Sequence, residues 1–139
     1  MSLFGIFVTT ASNSEQSAEE IIKNRKALFS KNYNTAKKVQ SLSSNGDFDD
    51  AKILMLEMSE NYKNLKEMFP DNSKEGFKTE SLPIIWEEKD AFDALMQKAS
   101  DDMIKLAKAI DTAEDLRAVQ KDLMWNNCSA CHNRFRAEH

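Results

Sequence analysis

The chain has 139 residues, 41% hydrophobic and 30% charged, with a net charge of −4 and only three Gly and two Pro. This length suits one domain with an unstapled core, the shortage of turn formers excludes a turn-rich β-sandwich or barrel, and no basic run suggests a nucleic-acid surface. Frequent Met, Ala, Lys, Glu and Leu point to an all-α fold whose charges cover solvated helix faces.

Residues 1–17 stand apart. Leu3 to Val8 form a short apolar run followed by Thr9-Thr10-Ala11-Ser12, which resembles the tail of a secretory signal with Ala11 at a cleavage position. No Lys or Arg precedes Lys23, and the run is too short to span a bilayer. The segment reads as a signal remnant or a flexible tail.

Four amphipathic helices follow. The first is expected from about Ala18 to Ser41, with Ile21, Ile22, Leu28, Phe29, Ala36 and Val39 at helical spacing, and Ser43 to Asp47 as the stop and next cap. The second runs from Phe48 to Phe69 on the stripe Ala51, Leu54, Met55, Met58, Tyr62 and Leu65, and Pro70 ends it. A polar connection from Asp71 to Pro83 is the longest loop. The third is expected over Ile84–Ile110 and the fourth over Ala113–Arg136, with Leu116, Val119, Leu123, Cys128, Cys131, His132 and Phe135 on its inner arc. Four such helices predict an antiparallel four-helix bundle spanning 18–139.

Cys128-Ser129-Ala130-Cys131-His132 is a C-x-x-C-H sequence, the attachment signature of a c-type haem. Each thiol adds across one vinyl group, and the adjacent imidazole reaches the iron. On a helix, Cys131 lies about 60° behind Cys128 and His132 about 40° ahead of it, so all three leave one narrow arc. Structural zinc needs four ligands, and this chain has two Cys and two His, one of them its last residue. A thioredoxin-like redox pair belongs at a helix start beside a βαβ unit, and this motif lies deep in a C-terminal helix.

Several of these features together resemble the cytochromes c prime. Cys128 to Arg136 reads C-S-A-C-H-N-R-F-R, like that family's ending close to the C-terminus. Met68-Phe69-Pro70 followed by Pro83-Ile84-Ile85-Trp86 is similar to its second-to-third helix connection, and Phe92 and Arg25 match an aromatic and a basic position. The resemblance implies a left-handed bundle, often a homodimer, in the bacterial periplasm, with covalent haem c and His132 as proximal ligand. High-spin members leave the sixth position empty behind an apolar side chain of the first helix, and a low-spin subgroup fills it with Met. Four residues on from Arg25 is Phe29, which has no lone pair, and no Met occurs between Ser2 and Leu54. An open iron behind an aromatic ring favours nitric oxide and carbon monoxide.

Other roles implied by the resemblance have plainer alternatives. Arg136, one turn beyond His132, tunes the proximal imidazole or complements a helix end. Arg25 approaches a haem propionate or is a solvated surface cation. Trp86 packs near the haem or anchors the core. Phe29 is a lid or a core aromatic. The expected function is a gas-binding haem protein, not an enzyme. A low-spin electron carrier serving a redox partner is the alternative, and a haem-free helical interaction module is a third reading. The N-terminal segment further predicts an apo form of the chain, with residues 3–8 in the haem pocket.

Overall fold

The computed structural model describes residues 16–138. The signal remnant and the expected docking of residues 3–8 therefore lie outside the described residues. Gln16 and Ser17 are within them.

Helix α1 (Ala18–Ser44) starts where the Ser17 hydroxyl accepts the Glu20 N–H at 3.2 Å. Glu19 and Glu20 then complement the helix dipole. It continues three residues past the expected Ser41. Its end is a Schellman turn: the Asp47 N–H donates to Leu42 O at 2.9 Å and the Gly46 N–H to Ser43 O at 3.2 Å. Gly46 takes φ +80° there, a conformation that a Cβ would strain. Helix α2 (Phe48–Lys66) stops three residues short of the expected Phe69. The N–H groups of Glu67 and Met68 turn to the carbonyls of Asn64 and Leu65, tightening the last turn ahead of Pro70. Phe69 leaves the helix yet remains buried.

The expected third helix is two helices. α3 (Ile84–Glu87) is a single turn, and α4 (Lys89–Ala109) starts afresh after Glu88, whose φ −120° and ψ 48° are not helical. Trp86 ties α3 to the connection by donating from Nε1 to Phe69 O at 2.8 Å, and Arg134 pairs with Glu88 at the break. The fourth helix starts at Leu116 rather than Ala113, where the Asp115 carboxylate accepts the Ala118 N–H at 3.1 Å. It comprises α5 (Leu116–Gln120), a π-helical turn (Lys121–Trp125) and α6 (Asn126–Phe135). The wide turn shifts the inward stripe by one residue. Gln120, Met124, Asn127, Cys131 and Phe135 are buried, and the expected Leu116, Val119 and Leu123 are only half-buried.

Neighbouring helices run antiparallel. Lys31 pairs with Glu57 and Asn61 donates to Asn32 between α1 and α2, while Ser59 meets Ser100 and Lys66 meets Gln97 between α2 and α4. α4 meets α6 through Asp102 and Asn127. The core holds Met55, Met58, Leu65, Met96, Met103 and Leu106. It is an all-α four-helix bundle, and among the described residues the only extended pairing is a bridge between Ser81 and Arg136.

Candidate haem site

α1 packs directly on α2, α2 on α4 and α4 on α6, but α1 meets α6 across a cavity of about 590 Å³. That volume is within the usual range of small-molecule sites. α6 contributes Cys131, His132 and Phe135 to its wall. α1 contributes Arg25, Lys26, Phe29 and Tyr33, and Phe69, Ile85 and Phe92 complete it. The aromatic wall is continuous: Phe69 and Phe92 lie 4.6 Å apart between centroids, Phe92 and Phe135 5.3 Å, and Phe29 meets Phe69 edge-on at 6.3 Å.

The C-x-x-C-H residues occupy successive positions of α6. Both cysteines are unbridged thiols, with Cys131 buried and Cys128 half-buried. Burial pushes the Cys131 thiol up to about 12, and burial also raises that of Cys128. Both sulfurs are therefore protonated at neutral pH. Cys131 faces the cavity, whereas Cys128 lies beside it in hydrogen-bond contact with the Tyr62 hydroxyl. Tyr62 in turn meets Asn32, which accepts from Asn61 Nδ2 at 2.9 Å. Sequence reasoning gave no role to Asn32, and Tyr62 appeared only as one position of an apolar stripe. His132 Nε2 is 3.5 Å from Arg136 Nη1.

Arg25 is not a solvated cation: it is 1% exposed. Nη1 donates to Ser73 Oγ at 2.7 Å and Met68 O at 3.2 Å, and Nη2 to Ser73 O at 2.8 Å and Thr79 Oγ1 at 2.9 Å. Its guanidinium also lies 4.6 Å from the Phe69 ring centroid. Burial pushes its pKa down to about 10, so it stays charged at neutral pH. The side chain thus clamps the 67–83 connection against the cavity, and its buried Nε has no partner. Trp86 is outside the lining, behind Phe69 at 5.9 Å between centroids. The structure therefore brings Arg25, Phe29, Cys131, His132 and Arg136 together at one cavity. Cys128 stands beside that cavity and Trp86 behind it.

The residues fit a covalent haem. Two protonated thiols one turn apart and an adjacent imidazole border an aromatic cavity, and its lining includes Arg25, whose buried Nε has no hydrogen-bond partner. Among the described residues, no three His, Cys, Asp or Glu side chains gather as a metal cluster. Bundle and motif together define a four-helix-bundle c-type haem protein.

The chain belongs to the cytochrome c prime family, whose description, Cytochrome C', it matches over residues 20–136. A cytochrome c' of Rhodopseudomonas palustris is 30% identical over 124 residues, covering 86% of this chain and 83% of the relative. The solved cytochrome c' from Rhodopseudomonas palustris is 27% identical, with a TM-score of 0.70 over 85% of this chain and 96% of that one. A nitric oxide complex of a mutant cytochrome c prime from Alcaligenes xylosoxidans shares the fold at 20% identity, with a TM-score of 0.74 over 89% of this chain and 99% of that one. Family membership implies a covalently attached haem c.

Proposed function

We propose that this protein holds one haem c through thioethers to Cys128 and Cys131, with His132 as the only protein ligand to iron, and binds small neutral gases at the open face. The observation that carries this reading is the composition of the cavity wall. Phe29 lines it and no Met does, while Met55, Met58, Met96 and Met103 are buried in the bundle core. A low-spin electron carrier of the Met-ligated kind needs a thioether as sixth ligand, and the wall offers none.

When bound, the haem supplies an iron that takes up nitric oxide or carbon monoxide and gains or loses one electron. The protein's own residues set the conditions for this. Phe29, Phe69 and Phe92 exclude water and offer an incoming gas no hydrogen-bond donor, which disfavours dioxygen relative to nitric oxide and carbon monoxide. Arg136, whose Nη1 lies 3.5 Å from His132 Nε2, helps orient the imidazole. Arg25 holds the connection that supports Phe69, and its free N–H suits a carboxylate of the cofactor.

The protein is read as a binding protein, not an enzyme. Covalent haem attachment occurs outside the cytoplasm, which supports a periplasmic site of action. No helix among the described residues is long and apolar enough to cross a membrane. A homodimer belongs to the same reading. Ile53 and Leu56, 65% and 50% exposed on the outer face of α2, are apolar surface that such a contact would bury.

The test is the association rate of carbon monoxide with the ferrous protein and its Phe29→Ala variant. Removing the ring should raise the rate by roughly tenfold or more, about 1.4 kcal/mol of barrier. An unchanged rate would show that Phe29 does not guard the open face.

A further inference from the structure

The charge on this protein is unevenly distributed. Between residues 21 and 46 there are six cations and no carboxylate, so the rest of the chain carries the whole acidic excess. Arg25 is buried and the other five are lysines exposed along α1: Lys23, Lys26, Lys31, Lys37 and Lys38. At 100° per residue they span the face opposite the buried stripe Ile22, Arg25, Asn32, Ala36 and Val39. Little of this charge is neutralised. Lys31 pairs with Glu57, Lys26 donates to a backbone carbonyl at Lys78, and Lys37 lies 4.6 Å over the Tyr33 ring.

This face adjoins the cavity. Lys26, Ser30, Tyr33 and Asn34 belong to the cavity wall, and Ser30 and Asn34 continue into a shallow groove flanked by Lys31 and Lys38. At the junction Tyr33 is 54% exposed, its ring braced edge-on against Trp125 at 6.1 Å. A rigid exposed aromatic among unneutralised cations has the make-up of an interface hot spot.

We propose that the outer face of α1 docks an acidic electron-transfer protein at the cavity mouth. The inference rests on the haem assignment above, and it names the route by which the iron is reduced. One electron leaves the partner and one enters the iron, taking it from ferric to ferrous, with no proton or bond exchanged. Charge complementarity selects the occupant. A second copy of this chain would have to oppose lysines to lysines if it used the same face.

The test uses the haem-loaded protein with flavodoxin, an acidic single-electron donor, as the probe. Two net-acidic proteins repel overall, so control by net charge requires reduction to speed up as salt is added. Control by the α1 face requires the opposite. We expect the rate to fall with salt, and Lys23→Glu/Lys37→Glu/Lys38→Glu to lower the low-salt rate about tenfold and reverse the slope. Lys108→Glu, about 24 Å along α4 from Phe92, should do neither, and the midpoint potential should be equal in all three proteins. Independently of electron transfer, oxidised flavodoxin should shift backbone amide resonances of residues 23–38. A rate that rises with salt, shifts mapping elsewhere, or binding of this face to phosphatidylglycerol vesicles with no flavodoxin-induced shift would overturn the proposal. So would a dimer that the triple variant dissociates. Absence of any haem absorbance change on chemical reduction would instead refute the haem assignment.

Discussion

Arg25 shows how much one side chain contributes to the site. Four hydrogen bonds from one guanidinium hold Met68, Ser73 and Thr79, and stacking on Phe69 fixes the aromatic wall of the cavity. Arg25→Ala strands the carbonyls of Met68 and Ser73 and should cost about 3–5 kcal/mol, read as a lower urea midpoint. Arg25→Lys keeps the charge but not the planar fork, and should recover only part of the loss. The burial of this residue was not legible in the sequence, because Arg is among the residues least often buried unless paired. Its partners are backbone carbonyls and hydroxyls 43–54 positions away, and no local pattern announces them. The cysteines and His132 were legible because attachment chemistry fixes both their identities and their spacing. Phe29 was legible only through the resemblance. The placement of Tyr62 against Cys128 carried no sequence signal beyond apolar spacing.

At the scale of elements, periodicity located every long helix but misjudged where helices bend. The break at Glu88 lies within an unbroken amphipathic pattern with no Gly or Pro, and it is tertiary anchoring of Trp86 that sets the boundary. The π turn at Lys121–Trp125 is equally silent. It moves the buried set from Leu123 to Met124, so the stripe read at 3.6 residues per turn fails before Asn127 and holds again from Cys131 to Phe135. The α1–α2 turn, by contrast, followed from its chemistry. A methyl group on Gly46 would meet no other atom within 4 Å, so the constraint there is the backbone φ of +80° and not crowding. Gly46→Ala should therefore destabilise the fold by about 1–2 kcal/mol, measured by thermal or urea unfolding, without altering the haem spectrum.

At the scale of the whole molecule, a polar layer links helices that are otherwise joined by apolar packing. Asp102 is 2% exposed and accepts from Lys98 Nζ at 2.5 Å and Asn127 Nδ2 at 2.9 Å, tying α4 to the helix that bears the motif. Burial opposes its charge, but bonds from Lys98 and Asn127 and the charges of Lys98 and Lys105 outweigh this, so its pKa lies below the ordinary 3.8. A carboxyl depressed in the folded state contributes stability that is present above the unfolded value and lost as pH falls through the folded one. The stability gap between wild type and Asp102→Asn should thus be full at pH 7 and shrink below about pH 4. Urea midpoints at both pH values measure it, and a gap independent of pH would show that the carboxylate's charge is not what matters.

The central claim is an open iron site held by His132 alone. It is tested most directly by the optical spectrum of the haem-loaded ferrous protein before and after nitric oxide. The account predicts a broad high-spin Soret band that shifts when the gas is added. A sharp low-spin spectrum with split visible bands, unmoved by nitric oxide, would mean that a second residue fills the sixth position, and would contradict it.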